Sequence, residues 1–162
     1  MMFLAILLLG SLVVGLAMRL GVVRDRGLQG SMRLGLVFGL AVIGLDHLLA
    51  PDRYIPMIEG FLPAPEFIVA LTGLCEIAGA FGLLIPSTRR LAGYVLAVYF
   101  VAVFPANIAN AVNGQSVSGM PEATWYYWVR LGIQPVFVWW ALVAGGMLRV
   151  SRHDVASRLR GT

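Results

Sequence analysis

Five long apolar segments, at residues 1–18, 34–50, 67–85, 91–111 and 125–148, dominate this chain. A helix that crosses a bilayer needs about 20 mostly apolar residues, and each segment approaches or exceeds that length. No stretch alternates apolar and polar residues as a transmembrane barrel strand must. The connections are short, which favours antiparallel neighbours. The expected fold class is therefore an all-α integral membrane protein. Composition agrees: 59% of the 162 residues are hydrophobic and 12% charged, against roughly 45–50% and about 25% in soluble domains. A water-soluble domain of this size could not hide so much apolar surface. That argues against a soluble enzyme, a disordered chain and a disulfide-stapled secreted scaffold. Cys75 is the single cysteine, so no internal disulfide can form.

The arginines set the orientation. The net charge is +4 and all twelve Lys/Arg positions are arginine. Such a balance can signal nucleic acid, but here the arginines are sorted by loop rather than gathered on one patch, so no nucleic-acid partner is expected. Residues 19–33 carry Arg19, Arg24, Arg26 and Arg33, the 86–90 turn carries Arg89 and Arg90, and the tail at 149–162 carries Arg149, Arg152, Arg158 and Arg160. The intervening loops carry only Arg53. Positive loops stay in the cytoplasm, which places the N-terminus outside and the C-terminus inside a bacterial plasma membrane. Residues 1–18 could be a signal peptide. No basic residue precedes them and four arginines follow, so they are read as a retained helix. The run Trp125, Tyr126, Tyr127, Trp128 falls at the outer interface, where amphipathic aromatics belong.

The informative residues are polar ones inside apolar segments: Asp46 and His47, Thr72 and Glu76, Asn107 and Asn110, Arg130 and Gln134. A charged group at mid-helix costs roughly 2.5–3.5 kcal/mol on insertion scales and usually faces the bundle interior. Counting inward from the outer helix ends at ~1.5 Å per residue, Asp46 and His47 lie ~5 Å deep, Asn107 ~6 Å and Arg130 ~8 Å. Glu76 and Gln134 lie ~14 Å deep by the same count. Helices running in alternate directions thus place their polar groups in one outer half, which predicts a single polar cavity narrowing to Glu76. Helical spacing agrees. Thr72, Glu76 and Ala80 share a stripe, as do Tyr126, Arg130 and Gln134. Gly73, Gly79 and Gly82 lie beside the first stripe and let helices approach closely.

Plainer readings compete at each position. Glu76 and Arg130 could be a structural ion pair, and His47 a hydrogen-bonded packing residue. Asp46 could cap its helix or meet outer water, and Asn107 could satisfy the carbonyl freed by Pro105. Cys75 points away from Glu76 and reads as packing. A metal needs at least three converging ligands; Asp46, His47 and Glu76 are the only set, and no metal is expected. The loop at 51–66, PDRYIPMIEGFLPAPE, is apolar for a loop through Tyr54, Ile55, Met57, Ile58, Phe61 and Leu62. It is expected to lie in the headgroup region as a lid over the cavity mouth.

Five motifs occur in order: GLDHLLAP at 44–51, TGLCEIAGAFGLLIP at 72–86, RRLAG at 89–93, VFPANI at 103–108 and WVRLGIQ at 128–134. With this order, residues 32–147 resemble the DoxX-like integral membrane proteins. The resemblance implies an antiparallel four-helix transmembrane bundle over 34–148, with residues 1–18 as an extra N-terminal spanning helix, 19–33 a basic cytoplasmic loop and 149–162 a basic cytoplasmic tail. It also implies a link to quinones or redox complexes. Glu76 and His47 match the family's recurring intramembrane polar positions, and Asn107, Arg130 and Gln134 match those of its most similar branch. Asp46 before the histidine departs from the pattern.

The expected function is binding of a quinone or similar lipophilic small molecule within a redox-linked membrane complex. Glu76, His47 and Asp46 form the expected catalytic set. Asn107, Arg130, Gln134, Thr72 and Tyr126 form the expected binding set. The chain has no haem-ligand pair, CxxC or flavin motif, so electrons would come from a redox partner subunit. Two alternatives stand beside this reading: an isomerase or cyclase moving a proton on a lipophilic substrate, with Glu76 as acid or base, and a non-catalytic assembly subunit.

Overall fold

The computed structural model describes residues 8–12, 16, 27–60, 62–113 and 123–149. Among them the fold is all-helical, with no strand: α1 (Leu28–Leu49), α2 (Pro65–Leu84), α3 (Arg89–Ala102), α4 (Phe104–Asn113) and α5 (Thr124–Ala144). Two short 3-10 turns, Pro51–Arg53 and Ile55–Met57, fill the connection between α1 and α2. Among the described residues, three spans are long and apolar enough to cross a membrane: Leu28–Leu49, Pro65–Leu84, and Arg89–Asn113 taken through its break. The fifth expected segment is helical at spanning length, but its tyrosines, tryptophans and Arg130 leave it less apolar. Most of the first expected segment, 1–18, lies outside the described residues; 8–12 are helical.

Two boundaries differ from the sequence reading. The first helix after the basic loop starts at Leu28, not at 34, so Arg33 belongs to the helix. Gly27 makes the start possible by turning the chain at φ 116°, a conformation open mainly to glycine. Arg33 is 6% exposed, and its Nε donates to the Ala144 carbonyl at 2.8 Å. A cation at a helix C-terminus meets the unpaired carbonyls and the negative end of the helix dipole, so Arg33 closes the end of α5. Gln29 Nε2 donates to the Val143 carbonyl at 2.7 Å and Trp140 Nε1 to the Met32 carbonyl at 2.8 Å, completing this seam. Arg89 caps the end of α2 in the same way, donating from Nε to the Leu83 carbonyl at 3.1 Å.

The second difference is the segment read as one helix at 91–111. It divides at Val103 into α3 and α4. Pro105 has no N–H to give to Val101, so one helical bond is missing, and the chain turns there. α3 packs against α2 and α5, whereas α4 packs against α5 and the 3-10 turns.

α1 packs on α2, α2 on α3, α3 on α5 and α5 back on α1. Glycines set two of these approaches. A Cβ on Gly73 would lie 2.8 Å from the Gly44 carbonyl, and one on Gly93 would lie 2.6 Å from the Gly145 Cα. The half near Arg33 and Arg89 is a dense apolar core of Leu36, Leu40, Leu83, Leu96, Trp140 and Val143. The other half has a smaller core of Tyr54, Met57, Ile58, Val69, Tyr126 and Tyr127. Outward-facing Phe67, Leu74, Phe81, Leu91 and Val98 leave the periphery apolar and exposed.

Candidate functional site

A cavity of roughly 380 Å³ lies between the two cores. Its walls are mostly apolar, from Ile43, Met57, Ile58, Val69, Leu71, Phe100, Val103 and Phe137. Set into them are His47, Thr72, Glu76, Asn107, Tyr126, Arg130 and Gln134. Seven of the eight residues named from sequence therefore line one space; the eighth, Asp46, does not. Tyr54 and Tyr99 complete the polar lining.

The first polar group grows out of the α1–α2 crossing. Gly44 and Gly73 leave room there for the neighbours that follow each by one turn. A Cβ on Gly73 would meet the His47 Cβ at 2.9 Å, and one on Gly44 would meet the Glu76 Cβ at 3.2 Å. The helices are antiparallel and each Cα–Cβ bond tilts toward its own N-terminus, so the two side chains lean toward one another. His47 Nδ1 sits 3.0 Å from Glu76 Oε2, and the Tyr99 hydroxyl donates to Glu76 Oε1 at 3.0 Å. Nδ1 also lies 2.9 Å from the Ile43 carbonyl. One ring proton cannot align with both acceptors, and Glu76 Oε2 has no aligned hydrogen bond among the described residues. Glu76 is 4% exposed. The arrangement is a buried carboxyl with one oxygen tied to a phenol and the other beside an imidazole.

The second group joins α4 to α5. Arg130 Nη2 donates to Asn107 Oδ1, Asn107 Nδ2 donates to Gln134 Oε1 at 3.2 Å, and Gln134 Nε2 donates to the Phe100 carbonyl at 2.6 Å. That carbonyl lies in the last turn of α3, where helical partners run out. Gln134 thus serves the break in the helix, and Asn107, one turn beyond Pro105, links it to Arg130. The Asn107 side chain goes to α5 rather than to the carbonyl freed by the proline. Tyr126, Arg130 and Gln134 occupy one stripe of α5, and all three reach the cavity. The aromatic run divides: Trp125 and Trp128 are exposed, while Tyr126 and Tyr127 are buried edge to face.

Glu76 and Arg130 contribute to separate hydrogen-bonded groups in one cavity, Glu76 beside His47 and Tyr99, Arg130 beside Asn107. Thr72 faces the space while its hydroxyl donates to the Val69 carbonyl at 2.7 Å. Asp46 turns the other way: Oδ1 accepts from Arg53 Nη1 at 2.9 Å and Oδ2 from the Tyr54 hydroxyl at 2.6 Å. Asp46, His47 and Glu76 do not converge, and no group of three metal-ligating side chains forms among the described residues. Cys75 lies on the cavity's rim and is exposed. Asn110 is 1% exposed, and neither side-chain polar atom has a partner among the described residues.

The connection at 51–64 covers the mouth. Tyr54, Met57 and Ile58 are buried, and with Leu62 they line the cavity. The Tyr54 ring stacks on His47, with centroids 3.9 Å apart and planes 28° from parallel. Burial, then the hydrogen bond to Asp46, hold the Tyr54 phenol well above its ordinary pKa. Tyr54 and Tyr99 are the two members that the sequence reading left out of the site. Tyr99 sits in the apolar run of α3, on the far side of the break at Val103 from Asn107, and no local spacing marks it.

No curated protein and no solved structure matches the chain. One family model does, that of the domain of unknown function DUF8561, over residues 36–144. The match takes in all of the cavity's lining residues and roughly two thirds of the chain. The chain therefore belongs to the DUF8561 family.

Proposed function

We propose that this chain is a multi-pass membrane protein akin to the DoxX-like family, binding a quinone or similar lipophilic small molecule in the outer half of the bilayer. In this reading α1, α2, α3 with α4, and α5 form an antiparallel four-helix transmembrane bundle, and residues 1–18 add a spanning helix. The exposed apolar periphery supports insertion. Arg33, Arg89 and Arg90 at one end, and the apolar lid at the other, support an inside and an outside. The N-terminus then lies outside and the C-terminus in the cytoplasm of a bacterial cell.

The observation that carries the reading is an apolar cavity into which two separate polar groups converge. Ligand sites are commonly apolar clefts of about 300–1,000 Å³ with a few placed polar groups. A quinone ring presents carbonyl oxygens on opposite edges. Arg130 and Asn107 suit one, and His47 and Tyr99 suit the other. Glu76 lies beside the second. The chain binds and orients the ring, and a redox partner subunit supplies electrons.

The test is extraction of bound lipid from protein purified in mild detergent, read by an oxidised-minus-reduced ultraviolet spectrum. A near-stoichiometric quinone, lost in Glu76→Gln and Arg130→Gln, is the expected result. Absence of quinone, together with no thermal shift on adding it, overturns the reading.

One observation favours a second reading. Glu76 Oε2 faces His47 without an aligned hydrogen bond, a state suited to taking up a proton. A redox-neutral isomerase would use Glu76 to remove a proton from one substrate carbon and return it to another. Loss of turnover in Glu76→Gln with the fold retained supports this alternative.

A further inference from the structure

The cavity is not closed on all sides. On one flank of its rim stand Leu71 and Cys75 of α2, and on the other Ala102 at the end of α3, Val103 at the join and Ala106 in α4. Leu71, Cys75 and Ala102 are exposed. The gap follows from the break at Val103: α3 stays against α2, while α4 leans onto α5 and the lid turns. Small side chains on the α4 flank keep it open. All five rim residues are apolar or weakly polar, and the arginine, glutamate and amides sit on other walls. Volume adds a constraint. Roughly 380 Å³ is near the small end of the range for ligand cavities, which suits a ring and a short stub of chain. A long isoprenoid or acyl tail does not fit and must leave the cavity somewhere. On the lid side Tyr54, Met57 and Ile58 are each 8% exposed.

We infer that the gap between α2 and α4 is a lateral window to the lipid, through which an amphiphile with a polar ring enters head first and keeps its tail in the bilayer across Cys75 and Ala102. This rests on the proposed binding of a quinone-like ring and adds its route and the place of its tail. The ligand class is thereby narrowed to single-tailed lipids with a flat polar head.

The experiment uses the full chain in lipid nanodiscs and two fully substituted probes that cannot add a thiol, 2,3-dimethoxy-5,6-dimethyl-1,4-benzoquinone and the same ring with a decyl tail in place of one ring methyl. Binding is followed by thermal shift, and the window by the rate at which N-ethylmaleimide alkylates Cys75. The tailed probe slows alkylation severalfold in the unmutated chain, and the tail-less ring binds without slowing it. Ala102→Phe and Ala106→Phe each weaken the tailed probe by about tenfold or more relative to the tail-less ring; the ring binding that remains also reports a folded cavity. If both probes bind the unmutated chain but Cys75 alkylation and both variants treat them alike, the window is overturned and the ring site stands. If neither probe binds the unmutated chain, the quinone reading fails and takes the window with it.

Discussion

Tyr54 touches two consecutive residues of α1 in two different ways: its ring lies on the imidazole of His47, and its hydroxyl is bonded to the carboxylate of Asp46. Asp46 and His47 are about 100° apart around the helix, so one side chain from the lid spans both faces. Tyr54→Phe keeps the stacking and removes the hydrogen bond. A hydrogen bond to a charged acceptor contributes roughly 1.5–3 kcal/mol, and partial exposure of Asp46 puts the expected loss at the low end. Tyr54→Ala loses the stacking as well and costs more. Arg53→Ala removes a bridge whose side chains are 49% and 25% exposed, and is expected to cost no more than about 1 kcal/mol. Thermal melts should show the largest loss for Tyr54→Ala, a smaller one for Tyr54→Phe and the smallest for Arg53→Ala, and a larger effect for Arg53→Ala than for Tyr54→Phe would contradict this.

The same phenol gives an alkaline signature. Its folded pKa is raised above the unfolded value of about 10, so its stabilisation is complete below that pH and is lost as pH rises toward the folded value. The melting-temperature difference between the unmutated chain and Tyr54→Phe should stay constant up to about pH 10 and narrow only above it. A difference that narrows already near neutral pH would assign the effect to another group.

Pairing within the cavity can be measured by double-mutant cycles. His47 and Glu76 are in contact at 3.0 Å, and contacting residues couple by roughly 0.5–3 kcal/mol. His47→Gln with Glu76→Gln should show such a coupling. Glu76→Gln with Arg130→Gln should show a smaller one, because the two side chains belong to different hydrogen-bonded groups. Equal couplings would favour a single structural ion-pair network.

Glycine substitutions separate packing from propensity. Gly73→Ala places a methyl 2.8 Å from a backbone carbonyl that has little freedom to move. Overpacking of that kind costs roughly 1–3 kcal/mol, and it also pushes His47 from Glu76. Gly132→Ala meets nothing within 4 Å and lies inside α5, where alanine is favoured over glycine by roughly 0.5–1 kcal/mol. Melting temperature should therefore fall in the first variant and hold or rise in the second.

The helices and most of the polar lining were legible in the sequence because both follow from local rules. Apolar length marks the helices, and a fixed 3.6-residue period put Thr72 with Glu76, and Tyr126 with Arg130 and Gln134. Three things escaped. Arg33 reads as a loop cation by charge, yet it is buried on the end of α5, a partner far away in sequence. Tyr99 hides among apolar neighbours, since a phenol is common in packed helices and gains a role only opposite Glu76. Asp46 carries the same formal charge whichever way it faces; its helical angle, and Tyr54 arriving from the lid, turn it from the cavity. Pro105 announced a disturbance, but only packing decides that the two pieces lean on different neighbours.

The join at Val103 gives α4 an unusual standing among the helices. It is a short rod of ten residues, tethered at one end by a single turn and braced sideways by α5 and the lid. Rods held in this way respond to lateral pressure as levers. In the proposed bilayer setting, a thinner or more crowded leaflet would act first on the angle of α4, and so on the width of the proposed opening, while the helices packed beneath it stay in register.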